Sequence, residues 1–201
     1  MLPICQSMIK ADLRKSIEGF IALTDEEWAL IEDSFEKATA ERNSFLLSKG
    51  EVADKICFVE LGSLYSFMVG EKENLVVQHL FFEGYWFGDL ESFFSGEPSK
   101  RSILVMEPLE YRYITYTEFE KLCNISPKFE RYNNHLIRNG YIRTLQRIDE
   151  LVLDSAEKRY QKFVKYYEKY LQRIPLNVLA SYVGVKPQSL SRIRNKIAKK
   201  H

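Results

Sequence analysis

The sequence has little cysteine, glycine or proline and no long hydrophobic run, and each shortage excludes a class of protein. Its three cysteines are widely spaced, which is typical of reduced thiols and not of a disulfide framework or a zinc site. Nine Gly and six Pro in 201 residues exclude a fibrous or low-complexity chain. No stretch approaches the roughly 20 apolar residues of a membrane span, and the first residues lack the pattern of a secretion signal. We therefore expect a cytoplasmic protein with no membrane partner.

Histidine is equally scarce, which bears on enzymatic function. His79 and His135 are the only internal histidines, and they are far apart in the sequence. A metal-dependent enzyme built on strands would need clustered His and carboxylate ligands. We expect no enzyme activity, no catalytic residues and no metal site.

The net charge of +1 conceals a strong separation of charge along the chain. Residues 1–125 carry 12 Lys+Arg against 22 Asp+Glu, whereas residues 126–201 carry 17 against 6. An acidic half joined to a basic half is typical of a protein in which one module binds nucleic acid and the other does not. The open alternative is that the basic end is simply a solvated helical surface.

Short apolar and aromatic runs follow one another through residues 45–119, separated by turn residues. The runs are Phe45–Leu47, Ile56–Leu61, Leu64–Val69, Leu75–Phe82 and Tyr111–Tyr116, and residues 70–74 are typical of a hairpin loop. Many short strands at regular spacing predict a sandwich, jelly roll or barrel. Before them, Thr24 and Glu27 form a capping-box pattern that predicts a helix from Asp25 to Glu41.

After Ser126-Pro127 the periodicity becomes helical. Apolar residues four, three and four positions apart form one narrow stripe, which consists of Tyr141, Leu145, Ile148 and Val152. Such a stripe either packs within its own chain or pairs with a second copy of the helix. Asp154, with Glu157 three residues later, predicts the start of another helix that runs to about Leu171. Its expected exposed positions are Lys158, Arg159, Lys162, Lys165 and Lys169.

The segment Leu176–Ile197 has the pattern of a helix-turn-helix. Leu179 and Val183 lie one turn apart and would bury the first helix, while Ala180 permits a close helix crossing. Gly184 can adopt the positive φ of a tight turn, and Pro187 suits the first turn of the second helix. Leu190, Ile193 and Ile197 form the expected inward stripe of that helix.

The outward face of the second helix has the chemistry of DNA recognition. Gln188 and Arg192 share a face near its start, where a recognition helix meets the major groove. Gln pairs well with adenine and Arg with guanine, whereas surrounding cations position the protein on phosphates. The predicted DNA-binding residues are Lys186, Pro187, Gln188, Ser189, Ser191, Arg192, Arg194, Asn195 and Lys196, with Lys199 and Lys200 as further phosphate contacts.

With these motifs the chain resembles the Crp/Fnr family of bacterial transcription regulators over nearly its whole length. The second helix of the family is similar to the segment Val185–Ile193, in which Gln188 and Arg192 match the base-contacting positions. Pro187 stands where the family often has arginine, which implies a different target sequence. The pieces that match the family's β-roll are Lys49-Gly50-Glu51, Phe58-Val59 with Gly62, Glu83-Gly84, and Phe87-Gly88-Asp89-Leu90-Glu91-Ser92.

The resemblance implies an α+β fold with three parts. These are an N-terminal cyclic-nucleotide-binding-like β-roll (a double-stranded β-helix or jelly roll) at residues 1–125, a long dimerisation helix at 126–154, and a helix-turn-helix domain at 155–201. Because the sequence stops at His201, we expect the family's β-hairpin wing to be missing or nearly so.

The resemblance also places an effector pocket in the roll. Cyclic-nucleotide binders of the family hold the phosphate with a Gly-Glu-Leu-Gly turn and an Arg-Ser or Arg-Thr pair. Here Glu91 replaces the second Gly, and its carboxylate would oppose a phosphate, so we expect no cyclic AMP and no other cofactor. Either Arg101-Ser102 or Ser99-Lys100 could stand at the position of the pair. The expected pocket residues are Gly88, Asp89, Leu90, Glu91, Ser99, Lys100, Arg101 and Ser102.

Two functional hypotheses remain open from the sequence. The first is a homodimeric, sequence-specific regulator that binds double-stranded DNA and is controlled through the roll by an unidentified small-molecule effector, with RNA polymerase as a candidate partner. The second is a small-ligand sensor whose helical C-terminal domain contacts protein instead of DNA.

Overall fold

The computed structural model describes residues 9–71 and 73–199. Cys5, Lys200 and His201, and Lys72 within the expected hairpin loop, lie outside the described residues. Two short helices begin the described chain. The first is α1 (Leu13–Glu18) and the second is α2 (Asp25–Asp33).

Eight strands and two further helices follow. They are β1 (Glu36–Ala40), β2 (Phe45–Leu47), β3 (Lys55–Leu61), β4 (Leu64–Val69), β5 (Leu75–Phe81), β6 (Trp86–Phe87), α3 (Leu90–Ser95), β7 (Ser102–Val105), β8 (Leu109–Thr115) and α4 (Tyr116–Ile125). The strands form two four-stranded sheets, ordered β1-β8-β3-β6 and β2-β7-β4-β5. This is the predicted α+β jelly roll followed by helices, and the prediction of the fold class is confirmed.

The first sheet shows how side-chain pattern sets the register. Ile56 of β3 lies opposite Ile114 of β8, and both are buried. Phe58 and Val59 are also fully buried, so the middle of β3 is apolar on both faces. Such a strand must be covered on both sides, which is what a two-sheet roll provides.

The predicted helix Asp25–Glu41 is wrong in its second half. The capping box of Thr24 and Glu27 is present, but α2 ends at Asp33, and residues 36–40 form β1. β1 pairs antiparallel with β8 along its whole length, from Glu36 opposite Tyr113 to Ala40 opposite Leu109. Pairing with β8 satisfies the backbone of this segment, and this tertiary contact overrides its weak helical pattern.

The remaining chain is helical. It comprises α5 (Pro127–Leu153), α6 (Ala156–Tyr167), a 3-10 helix (Glu168–Arg173), α7 (Leu176–Val183) and α8 (Pro187–Ala198). The predicted helix to Leu171 therefore changes to a tighter helical form after Tyr167. The side chains that form the core of the helix-turn-helix are Tyr160, Phe163, Tyr170, Val178, Leu179, Ala180, Val183 and Leu190, all of which are buried.

Contacts within the chain divide it into two units. The first contains the residues up to 66 together with 80–135, and the second contains 67–79 together with 136–201. The second unit thus includes most of α5, all of α6, the helix-turn-helix and most of the β4–β5 hairpin. The three-part division at residues 125 and 154 stays a prediction.

Candidate nucleic-acid interface

The turn between α7 and α8 is built from backbone hydrogen bonds. The Gly184 N–H donates to the Ser181 carbonyl at 3.0 Å, and the Val185 N–H donates to the Ala180 carbonyl at 2.9 Å. These two bonds form a Schellman motif, which requires a left-handed residue at its centre. Gly184 supplies it with a φ of 79°, so a side chain at this position would strain the turn.

The buried face of the helix-turn-helix follows the predicted pattern. Leu179 and Val183 are buried, as predicted, and Ala180 is completely inaccessible to solvent. Leu190 is also completely buried, whereas Ile193 and Ile197 are half-buried. Pro187 occupies the first position of α8, where its missing N–H costs no intrahelical bond.

The predicted DNA-contacting side chains of α8 fall into two groups. The half-buried group comprises Pro187, Ser189 and Ser191, and Ser191 donates its hydroxyl to the Pro187 carbonyl at 3.1 Å. The exposed group comprises Lys186, Gln188, Arg192, Arg194, Asn195 and Lys196. Gln188 and Arg192 lie one turn apart, and both are exposed. The face that is proposed to read bases is therefore open to solvent.

The cations of α8 differ in their pairing. Lys196 Nζ lies 2.5 Å from a carboxylate oxygen of Glu157 on α6. Among residues 9–71 and 73–199, no ion pair joins Lys186, Arg192 or Arg194 to an acidic group. These three cations are therefore available to a polyanion, whereas Lys196 must first leave Glu157.

Two further arginines hold the end of α7, and sequence reasoning missed this role. Arg159, predicted to be exposed on α6, is half-buried and donates from Nε to the Val183 carbonyl at 2.7 Å. Arg147 of α5 donates to the Tyr182 carbonyl and lies 4.1 Å from the centre of the Tyr182 ring. Both satisfy carbonyls that the end of a helix leaves unpaired. Nothing in the spacing of the basic residues could have separated these two from phosphate-binding ones.

The apolar stripe of α5 is exposed. The exposed fractions are 64% for Tyr141, 44% for Leu145, 51% for Ile148 and 74% for Val152. Packing only within the chain does not explain these residues, because the described part of the chain leaves them uncovered. A contiguous exposed apolar surface of this kind is typical of an interface with another protein.

The junction between α5 and α6 contains a cluster of charges around Asp154. The N-cap of α6 is Ser155, and the prediction of Asp154 at that position is wrong by one residue. Asp154 instead pairs with Lys158 at 2.6 Å and with Lys162 at 2.7 Å. Hydrogen bonds from Lys158 and then Lys162 lower the pKa of Asp154 below its ordinary value, because both stabilise the charged carboxylate.

The expected effector pocket brings its charged residues together around Glu91. Lys100 Nζ lies 2.6 Å from Glu91 Oε1, and Arg101 Nη2 lies 3.0 Å from Glu91 Oε2. The hydrogen bond from Lys100 lowers the pKa of Glu91, and the same bond raises the pKa of Lys100. The two cations expected to attract a phosphate are thus already paired with a carboxylate of the chain.

Asp89 forms the buried part of the same region. It precedes α3 and accepts a hydrogen bond from the Ser99 hydroxyl at 2.6 Å. Arg101 Nε lies 3.5 Å from the same carboxylate oxygen, and Ser102 Oγ accepts from the Lys49 N–H. Gly88 has a φ of 158°, and Leu90 is exposed. Lys100 and Arg101, the two alternatives for the cation of the phosphate-binding pair, are both ion-paired with Glu91.

Membrane-spanning helices, metal sites and cysteines are the remaining features on which the sequence makes a prediction. No helix of residues 9–71 and 73–199 is both long and apolar enough to cross a lipid bilayer. In the same ranges no three His, Cys, Asp or Glu residues lie together as a metal site would need. Cys57 is buried, which raises its thiol pKa, and burial raises the pKa of Cys123 to about 11.

Solved structures share this arrangement of roll and helices at low sequence identity. FixK2 from Bradyrhizobium japonicum is 14% identical, with a TM-score of 0.74 over 83% of this chain and 85% of its own. The c-di-GMP responsive global regulator CLP from Xanthomonas campestris is 14% identical, with a TM-score of 0.72 over 88% and 93%. A Crp/Fnr-family regulator from Eubacterium rectale is also 14% identical, with a TM-score of 0.67 over 89% and 85%.

No family model matches the chain, and no curated protein matches it. At 14% identity, the structural similarity establishes only the fold. That fold is the one found in the Crp/Fnr regulators.

Proposed function

We propose that this protein is a homodimeric, sequence-specific DNA-binding transcription regulator, controlled through its roll by an unidentified effector. The observation that carries the proposal is the exposed face of α8, where Gln188 and Arg192 stand one turn apart beside Arg194, which has no acidic partner in the described part of the chain. Similarity to the fold of FixK2 and CLP supports the same assignment. The protein would be cytoplasmic and would have no enzyme activity.

Each part of α8 would have a distinct role on DNA. Gln188 and Arg192 would read base edges in the major groove, and Asn195 lies one turn further along the helix. Lys186 and Arg194 would contact phosphates, which supply affinity but no sequence information. Lys186 also stands at the N-cap position without a side-chain acceptor, so the first-turn amides of α8 remain available to a phosphate.

The exposed stripe of α5 would pair with a second copy of the chain. Dimerisation would bury Tyr141, Leu145, Ile148 and Val152 and would hold two recognition helices for half-sites about 34 Å apart. The Ile148→Glu variant should be a monomer in light scattering, because it places a charge within the seam. Arg143→Glu on the opposite side of α5 is the control. A monomeric wild type, or a dimeric Ile148→Glu variant, would contradict the proposed interface.

Salt dependence separates DNA binding from the alternative of a protein-contacting domain. If Lys186 and Arg194 meet phosphates, the logarithm of DNA affinity should fall linearly with the logarithm of salt concentration. Fluorescence anisotropy with duplex DNA at about 50 to 200 mM salt measures the slope. Replacing either cation by Ala should reduce the slope by about 1. An absence of DNA binding at the lowest salt would favour the sensor whose helical domain contacts protein.

A further inference from the structure

The β4–β5 hairpin has a free edge beside the helix-turn-helix. β5 is the last strand of the order β2-β7-β4-β5, so one side of it has no strand partner among the described residues, 9–71 and 73–199. Edge strands present unpaired N–H and C=O groups, which require another partner when they are covered. On β5 the Leu75 carbonyl and the Val77 N–H are two of the groups that a further strand would use.

Ser181 of α7 takes the place of that missing strand. Its hydroxyl accepts from the Val77 N–H at 2.8 Å and donates to the Leu75 carbonyl at 2.7 Å. Both bonds have good geometry for their type, and the two together use the hydroxyl as donor and acceptor at once. We call this pair of hydrogen bonds the Ser181 clasp.

A helical serine commonly makes a different bond. Its hydroxyl usually returns to a carbonyl one turn earlier, as Ser34 does to Leu30 at 3.1 Å and Ser191 does to Pro187 at 3.1 Å. Ser181 instead directs both hydrogen-bonding functions to β5, more than 100 residues away in the sequence. The clasp is thus a long-range connection and not a local feature of α7.

The clasp is one of three contacts on consecutive residues. Ser181 is held by β5, the Tyr182 carbonyl by Arg147 of α5, and the Val183 carbonyl by Arg159 of α6. Arg159 also donates to the Asp154 carbonyl at 2.6 Å, at the junction of α5 and α6. Gly184 and the turn into α8 follow immediately. The last turn of α7 is therefore the place at which the β4–β5 hairpin, α5 and α6 all contact the helix-turn-helix.

We propose that Ser181 is a positioning residue that fixes the helix-turn-helix against the β4–β5 hairpin and so sets the orientation in which α8 is presented. This role rests on the proposed function as a dimeric DNA-binding protein. A dimer gains affinity for a paired site only when both recognition helices fit their half-sites together. Releasing the clasp would widen the range of orientations and weaken paired binding, while each α8 keeps its own contacts.

The test compares Ser181→Ala with Ser181→Thr, which keeps the hydroxyl, and with Ser34→Ala, which removes only a local bond. NMR hydrogen exchange at the Val77 amide reports the clasp without DNA. We expect exchange at least tenfold faster in Ser181→Ala, and within threefold of wild type in the other two variants. Unchanged exchange at Val77 in Ser181→Ala would overturn the clasp.

DNA binding then tests the positioning role. Affinities are measured for a duplex with two copies of the half-site and for a duplex with one. In Ser181→Ala the paired duplex should bind at least threefold more weakly and the single half-site equally well, with Ser181→Thr restoring wild-type affinity for the paired duplex. Equal losses on both duplexes, or no loss, would show that Ser181 is only structural. A wild type without selective DNA binding would refute the proposed function and the positioning role, while faster exchange at Val77 would still establish the clasp itself.

Discussion

The roll and α8 both carry clustered cations, but the two clusters differ in how far their cations are paired with acidic groups. In the roll, Lys100 and Arg101 are both bound by Glu91. On α8, Arg192 and Arg194 have no acidic partner among residues 9–71 and 73–199. The comparison teaches that the number of basic residues does not identify an anion site, because pairing decides which charges a ligand can use.

The difference has a physical cause that applies to any incoming anion. A phosphate approaching Lys100 and Arg101 must displace a carboxylate that those cations already bind, and it also meets the repulsion of Glu91. A phosphate approaching Arg194 displaces only water and counterions, which are released with a gain in entropy. The same side-chain chemistry would therefore favour an incoming anion on α8 and oppose one in the roll.

The largest expected effect comes from removing Arg192, the cation that we propose reads bases. Arg192→Ala should reduce the preference for the selected site over random DNA by about 1–3 kcal/mol, because it removes a bidentate contact. Competition binding with both DNAs measures this preference. Arg194→Ala is the matched control and should weaken both DNAs alike. Equal losses in the two variants would contradict the separation of reading and positioning roles.

The next effect should appear in the roll when its carboxylate is neutralised. Glu91→Gln should bind cyclic AMP at least tenfold more tightly than wild type, because Lys100 and Arg101 lose their internal partner and the repulsion disappears. Isothermal titration calorimetry measures the affinity. Glu97→Gln, which removes an exposed carboxylate just after the end of α3, should behave as wild type. Strong cyclic AMP binding by the wild type would break the comparison.

A smaller effect should follow from freeing the paired cation of α8. Glu157→Gln releases Lys196 and should raise affinity for all DNA sequences alike, by no more than about fivefold, since exposed ion pairs contribute about 0.2–1 kcal/mol. The increase should shrink as salt concentration rises. Binding to the selected site and to random DNA is compared at two salt concentrations, and a gain confined to one sequence would contradict a phosphate role for Lys196.

The smallest effect is a pH dependence of stability at Glu91. Its pKa in the folded protein lies below the ordinary value of 4.5, so its pairing stabilises the fold above pH 4.5 and is lost as the pH falls through the folded pKa. The melting temperatures of wild type and Glu91→Gln should therefore converge in acid and differ at neutral pH. A constant difference across this range would mean that the Lys100 and Arg101 pairs do not act through the charge of Glu91.

The sequence predicts the fold best where a pattern is both local and repeated. The spacing of Leu179, Gly184, Pro187 and Leu190 predicts α7, the turn and α8, because each residue satisfies a local requirement of the motif. The helix at 25–41 was predicted too long, since the strand pairing of residues 36–40 with β8 depends on residues more than 60 positions away.

The candidate site shows the same limit. Gln188 and Arg192 could be placed from helical spacing, and their exposure follows from the burial of the opposite face. The sequence could not show that Arg147 and Arg159 hold carbonyls of α7, or that Ser181 binds β5, because those partners are brought close only by folding. Whether a cation is available to a ligand depends on such partners.

Selection of bound duplexes from a random-sequence DNA pool tests the central claim most directly. If α8 reads bases and α5 pairs two copies of the chain, the enriched sequences should contain an inverted repeat. Its half-site centres should be separated by about 10–10.5 base pairs or a multiple of that spacing. Arg192→Ala should lose the information at one position of each half-site. No enrichment over the starting pool at low salt, or enrichment identical for wild type and Arg192→Ala, would contradict the account.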